Sequence, residues 1–238
     1  MSQNAVVTGA GTGVGRAVAL ALLARGWNVA LIGRRSAMLD ETISLAGDVG
    51  DRALTVACDV SDEQAVKAMA QSVMERFGTV DVLVNAAGTN TPERSLAVLS
   101  EENYHRMMNT NLNGVYYCVQ AFLPSMRERG AGTIINIGSI SGLRATPLAG
   151  VAYSMSKFGV VGLTQAINAE ERNNGIRACV ISPGEIDTPI LELRPVFPSD
   201  EARAKMLQPE DVAACVMLVV DLPPRAIVEE MVIQPVKL

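Results

Sequence analysis

Histidine is almost missing from this chain: of 238 residues only His105 is one, and it lies in the charged stretch "SEENYHRMMN". That leaves no histidine cluster for a metal and no buried histidine for the usual acid–base role near neutral pH. Cysteine is sparse too. Cys58, Cys118, Cys179 and Cys215 are far apart, form no CxxC pair and each fall in an apolar segment. They read as buried, reduced thiols, so neither a zinc site nor a disulfide framework is expected. Basic charge is in deficit, with a formal net charge of −5, which argues against nucleic acid or an anionic membrane as the main partner. No apolar run reaches the roughly 18 residues that would suggest a membrane span. The opening "MSQNAVVTGAG" lacks the basic, apolar and cleavage regions of a signal peptide, so a cytoplasmic protein is expected.

What is present is apolar material in short, regular blocks. Hydrophobic residues make up 49% and charged ones 19%, enough for a large core and too little charge for disorder. Residues 4–9, 28–33, 52–58, 80–85, 132–138, 176–182 and 228–235 read as strands. Most are continuously apolar and rich in Val and Ile, as strands covered on both faces are. Between them, 15–26, 62–78, 101–128, 152–175 and 209–221 carry helical periodicity. Gly26, Gly78 and Gly175 stand where left-handed caps end helices, and Ser61 stands where one would begin. This alternation predicts a single α/β domain over 1–238, a doubly wound parallel sheet of about seven strands with helices on both faces. The stretch 184–208 has no clear period, and a loop that long in a compact domain is usually functional.

The first strand runs into "TGAGTGVG" at 8–15, which opens the first helix. Glycines at such a turn let backbone N–H groups approach a pyrophosphate, and the helix N-terminus favours negative charge. Gly9, Thr12, Gly13, Val14 and Gly15 are the candidates here. At the end of the second strand, where an acid would accept from a ribose 2′-hydroxyl, stand Gly33, Arg34 and Arg35. Guanidinium forks suit a 2′-phosphate, so NADP(H) is expected in preference to NAD(H).

Seven stretches in one order now coincide: "TGAGTGVG" (8–15), "CDV" (58–60), "NAAG" (85–88), "NTNLNG" (109–114), "INIGSISG" (135–142), "YSMSK" (153–157) and "SPGEIDT" (182–188). With them the chain resembles the short-chain dehydrogenase/reductase family over essentially its whole length, a likeness that implies a Rossmann-type fold and an oxidoreductase. The resemblance implies Ser139, Tyr153 and Lys157 as a catalytic triad and Asn111 as the asparagine completing it, kinking its helix and holding a relay water. It further implies Asp59 and Val60 beside the adenine and Asn85, Ala86, Ala87 and Gly88 along the cofactor. Pro183, Gly184, Ile186 and Thr188 would lie at the nicotinamide end, and Lys157 would also hold the ribose. The carboxyl end lacks the Val-Asp-Gly-Gly ending of many members and looks more like that of dehydrogenases of small 3-hydroxy acids such as serine.

Elementary electrostatics fits those roles. Tyr153 and Lys157 are four residues apart, so they share one helix face. A Lys⁺ roughly 4 Å from a phenol would favour the phenolate by about 4 kcal/mol, enough to bring it into the acid–base range. The expected reaction interconverts a carbonyl and a secondary alcohol by hydride transfer, Tyr153 moving the proton. A catalytically silent cofactor-binding sensor or scaffold of the same fold is the alternative, against which the intact Ser139–Tyr153–Lys157 set speaks. Substrate choice is expected in the lid 185–208 and the facing loop 143–152, with Leu143, Arg144, Leu191 and Arg194 as candidate contacts and either arginine able to pair with a carboxylate. No metal is expected, and a homo-oligomer, tetramer or dimer, is, built on helices 101–128 and 152–175.

Overall fold

A computed structural model describes residues 3–236. Seven parallel strands form one sheet in the order β3-β2-β1-β4-β5-β6-β7. They are β1 (Asn4–Thr8), β2 (Asn28–Gly33), β3 (Ala53–Ala57), β4 (Val82–Asn85), β5 (Gly132–Ile137), β6 (Ile176–Pro183) and β7 (Glu230–Ile233). The strand order reverses direction between β1 and β4, and at such a switch point a crevice opens above the carboxyl ends of the strands. All seven expected strands are present, with ends within about two residues of those read from the apolar runs.

The helices fall on both faces: α1 (Gly13–Ala24), α2 (Ser36–Ala46), α3 (Glu63–Phe77), α4 (Glu101–Met108), α5 (Gly114–Arg129), α6 (Val151–Glu171), α7 (Asp200–Arg203) and α8 (Pro209–Asp221). Leu22, Leu23, Leu31, Val84, Val216 and their neighbours fill the core between the sheet, α1 and α8. On the other face Leu83, Phe122, Met126 and Ile134 pack with α3 and α5. Because both faces of β1, β2 and β4 are covered, alternation is lost and the strands appear in sequence as plain apolar runs. Cys58, Cys118 and Cys179 are buried and Cys215 half-buried, all as free thiols. Among the described residues no helix is long and apolar enough to cross a membrane.

Three local readings differ from the sequence pattern. Helix α2 was not anticipated, because its only fully buried side chains are Leu39 and Thr42 and its apolar stripe is faint. The 101–128 segment is two α-helices joined by a wider π turn at Asn109–Asn113. The cap of α3 is Asp62, whose carboxylate accepts from the N–H groups of Gln64 (2.8 Å) and Ala65 (3.2 Å). Ser61 instead turns its hydroxyl onto Asp59, at 2.8 Å. A carboxylate at a helix N-terminus also meets the positive end of the dipole, which a hydroxyl cannot match. Gly26, Gly78 and Gly175 all have positive φ, at 81°, 73° and 75°, as their place after helices requires.

One ion pair joins the two long helices beside the sheet. Glu171, at the end of α6 with its side chain 4% exposed, accepts from Arg127 of α5 and from Asn174 at 2.8 Å. Hydrogen bonds from Arg127, then Asn174, hold its carboxyl down at about 2. The folded state therefore releases this proton more readily than the unfolded chain, and stability rises with pH across that interval. The contribution is complete above the ordinary carboxylate value near 4.5 and is lost as pH falls toward 2. Accordingly, Glu171→Gln is expected to lower Tm at pH 7, with the deficit shrinking as both proteins are melted at successively lower pH between 4.5 and 2. A deficit that stays constant over that range would show that the charge contributes nothing.

Candidate active site

The turn after β1 is shaped by contacts that leave no room for side chains. A Cβ on Gly15 would lie 2.3 Å from the Gly9 carbonyl oxygen, and one on Gly9, whose φ is 68°, would lie 2.9 Å from the backbone of Ala86 and Ala87. Thr8 at the end of β1 receives the N–H groups of Ala86 and Ala87 on its hydroxyl, both at 3.1 Å, and so ties the "NAAG" segment to the glycine turn. Thr12 precedes α1 without a side-chain cap, and the first turn of α1 carries no acid. Helix N–H groups left without side-chain partners at a positive dipole end suit an anion such as a pyrophosphate.

Beside this turn lies a cleft of about 150 Å³ lined by Gly9, Gly11, Thr12, Gly33, Arg34, Arg35, Asp59, Val60, Ala87 and Gly88, with Met38, Leu39, Cys58 and Thr110. The structure thus brings the glycine turn, the arginines after β2, the acid after β3 and the segment after β4 to one cavity. Glycine backbone for phosphate, cations at the rim and apolar walls fit a dinucleotide. Met38 and Leu39 lie outside every motif of the sequence, while Gly11, Cys58 and Thr110 belong to the motifs without being among the candidate contacts. Of these Thr110 comes from the π turn, which only the fold brings to the cleft. Arg34 and Arg35 are exposed and make no ion pair among the described residues. Asp59 spends its carboxylate on the backbone and hydroxyl of Ser61, holding the turn after β3.

Other candidates lie around this cleft rather than in its wall. Gly13 faces Thr188, whose methyl would be 3.2 Å from a Cβ there, so the 183–188 segment closes over the glycine turn. Pro183 ends β6, Gly184 donates to the Ile233 carbonyl at 2.8 Å, and Ile186 forms a bridge with Leu207. Val14 packs against the core and Asn85 is buried, donating to Asn136 at 2.9 Å, while its own side-chain oxygen has no partner.

At the carboxyl end of β5 the chain turns into a short helical turn, Ile140–Gly142. Ser139 caps it: its hydroxyl oxygen accepts from the Ser141 N–H at 3.1 Å, which leaves the O–H free to donate. That hydroxyl lies near the phenol of Tyr153, three residues into α6, close enough to hold the phenol's pKa down. One turn further, Lys157 is 5% exposed, its Nζ donating to the Ile137 carbonyl at 2.7 Å and standing 5.7 Å from the centre of the Tyr153 ring. Asn111, in the π turn, is fully buried; its side-chain oxygen accepts from the Thr89 N–H (2.8 Å) and its amide donates to the Thr89 carbonyl (2.9 Å). His105 is exposed, and among the described residues its salt-bridge partner is Glu101 on its own helix.

The electrostatics corrects one expectation. Burial raises the Tyr153 phenol above its ordinary value; the Ser139 hydrogen bond and the charges of Arg94 and Arg194 oppose that rise. The Lys157 ammonium donates to Ile137 rather than to the phenol oxygen and stands over the Tyr153 ring at 5.7 Å, farther than the roughly 4 Å contact expected from the spacing. Burial lowers Lys157 to about 8. Among the substrate candidates, Leu191 is buried at 3% exposure while Leu143 is exposed. Arg144 is exposed in the facing loop and makes no ion pair among the described residues. Arg194 is turned inward, its side chain 16% exposed and 3.4 Å from Glu185.

Known proteins place this geometry in a family. Residues 3–195 match the short chain dehydrogenase family. The 2-(R)-hydroxypropyl-CoM dehydrogenase of Xanthobacter autotrophicus is 38% identical over 215 residues, 88% of this chain and 86% of its own. An alcohol dehydrogenase from the archaeon Thermococcus sibiricus, solved with 5-hydroxy-NADP, superposes with a TM-score of 0.88 at 31% identity, covering 99% of this chain and 97% of that one. A closed serine dehydrogenase solved with NADP+ superposes at 0.85 with 30% identity, covering 97% and 94%. The chain belongs to the short-chain dehydrogenase family, NAD(P)-dependent oxidoreductases acting on CH–OH and C=O groups.

Proposed function

We propose that the protein is an NADP(H)-dependent enzyme interconverting a carbonyl and a secondary alcohol, with Tyr153 as its acid and base. The observation that carries this reading is the convergence of the Ser139 hydroxyl and the Tyr153 phenol at the carboxyl edge of the sheet, with Lys157 buried behind them. The nicotinamide, when bound, supplies or takes the hydride. Tyr153 gives its proton to the carbonyl oxygen in reduction and takes it back in oxidation. Ser139, its acceptor side engaged by Ser141, donates to the same oxygen as negative charge develops. Lys157 uses one of its three N–H donors on Ile137 and keeps two for the ribose hydroxyls. Asn111 holds the segment after β4 through Thr89 and so fixes the wall opposite α6.

The preference for NADP(H) rests on Arg34 and Arg35, unpaired cations at the cleft rim, and NADP-bound relatives are in keeping with it. For the substrate, Arg194 is the better placed cation. It is turned inward and acts on Tyr153, and its bond to Glu185 is long enough to yield to an anion. Serine, named in two of the structural relatives, is a 3-hydroxy acid, so a hydroxy or oxo acid is the proposed substrate class. Tyr116, Met155 and Phe158 are each 46% exposed on α5 and α6, an apolar face suited to a second copy in a homo-oligomer.

Tyr153→Phe should abolish turnover while leaving NADPH binding, measured by fluorescence, unchanged, since the ring keeps its packing and only the proton donor is lost. Substantial activity in that variant would move the acid–base role to another group. Neutral replacement of Arg34 and Arg35 together should raise KM for NADPH over that for NADH by roughly a hundredfold, given about 1.5–3 kcal/mol for each charge-assisted bond. A wild-type protein that already prefers NADH would refute the assignment. Arg194→Ala should cut the preference for an acid over its methyl ester roughly tenfold or more, whereas Arg144→Ala should not. Equal preferences in wild type and Arg194→Ala would remove the carboxylate from the proposal.

A further inference from the structure

Arg94 lies in the loop between β4 and α4, where no motif marks it. Its residue is only 6% exposed, and it has no carboxylate partner among the described residues. Its fork is spent on backbone carbonyls instead. Nε donates to Thr91 at 2.8 Å, one Nη to Leu148 at 2.7 Å and the other to Leu193. These carbonyls belong to three segments: its own loop, the loop that leads into α6, and the lid.

The backbone of Arg94 is as closely placed as its side chain. Its carbonyl accepts the Val151 N–H, the first of α6, at 3.1 Å. Gly150, with φ of 83°, leaves the space that this approach needs, since a Cβ there would be 2.5 Å from Cβ of Arg94. Asn90 adds a parallel tie to the Ala149 carbonyl at 3.2 Å. Tyr153 is two residues beyond Val151.

A guanidinium buried without a carboxylate partner is costly to desolvate, and the first turn of α6 carries no acid to offset its charge. The groups facing Tyr153 are the Ser139 hydroxyl, Lys157, Arg94 and Arg194. Arg194 is partly neutralised by Glu185, whereas Lys157 and Arg94 donate to neutral carbonyls and, among the described residues, have no counter-charge.

We propose that Arg94 is a positioning residue for the reaction: it straps the lid and the 143–150 loop to the segment after β4, and it sets an uncompensated positive charge within reach of Tyr153. The proposal rests on the reading of Tyr153 as acid and base. Straps to Leu148 and Leu193 need the planar fork, whereas the charge alone does not, and lysine separates the two.

The test compares wild type, Arg94→Gln and Arg94→Lys by backbone hydrogen exchange and by the pH dependence of kcat/KM for alcohol oxidation. In both variants exchange at 143–150 and 189–194 should quicken about tenfold or more, with the sheet unchanged, and KM should rise. In Arg94→Gln the limb along which oxidation increases with pH should also move to higher pH, because losing a cation disfavours the phenolate. In Arg94→Lys that limb should stay near the wild-type position, and this variant carries the test if the glutamine protein does not fold. Unchanged exchange in the two segments, or exchange quickened equally throughout the chain, would overturn the strap. A limb that shifts equally in both variants, or in neither, would overturn the charge effect. Failure of the Tyr153 reading is seen separately, as an active Tyr153→Phe protein, and leaves the exchange result standing.

Discussion

The bond from the Lys157 ammonium to the Ile137 carbonyl is the contact on which the rest of the site depends. A buried ammonium is costly unless its donors are used, and this one is fastened to the last residue of β5. That attachment, together with the bonds of Thr164 to Asn136 and of Asn168 to Ala178, sets how α6 lies against the sheet. Tyr153 then faces the sheet edge one turn earlier, and Ser139, two residues past Ile137, arrives beside it. The same burial lowers Lys157 to about 8, so the residue that organises the site is also one whose charge is held less firmly than an exposed lysine's.

Polar groups at the carboxyl ends of the strands repeat this logic on a smaller scale. Asn85 donates to Asn136, Asn136 to Thr164, and Thr164 to the Val160 carbonyl within α6, at 2.9, 2.9 and 2.8 Å. Thr8 holds Ala86 and Ala87. Buried hydrogen-bonded chains of this kind permit little adjustment, because any displaced group would be left without a partner. The crevice is therefore rigid on its β1–β4–β5 side. Its other side is built from the 143–150 loop and the lid, where ties run through single side chains: Arg94 to Leu148 and Leu193, Arg203 to Asp187, and Arg194 to Glu185. Rigid chemistry and an adjustable cover occupy opposite walls.

In a chain of net charge −5, cations without close acid partners among the described residues gather where the proposed cofactor phosphate and substrate acid would lie. Arg34 and Arg35 stand at the rim of the cleft and Arg94 and Arg194 near Tyr153, whereas many other arginines are spent in ion pairs with acids, such as Arg25 with Asp221 and Arg172 with Glu229. Composition averages this arrangement away, which is why net charge excluded partners but could not place the site.

The sequence by itself determined the sheet, its parallel strands and the glycine turn, because buried strands must be apolar and a turn packed within 3 Å of neighbouring backbone must be glycine. Helical spacing placed Tyr153 and Lys157 on one face, and the family motifs around them marked the pair as a candidate site. The sequence did not determine α2, whose buried stripe is too thin, nor the choice of Asp62 over Ser61, which depends on where Asp59 draws the serine hydroxyl. Nor could it tell that Lys157 would turn to Ile137, that Arg144 would face outward while Arg194 turned in, or that Arg94 would matter at all. Those outcomes belong to the tertiary structure, since a side chain's partner is set by which carbonyls and charges distant segments bring within about 3 Å, and no local pattern in the chain records that.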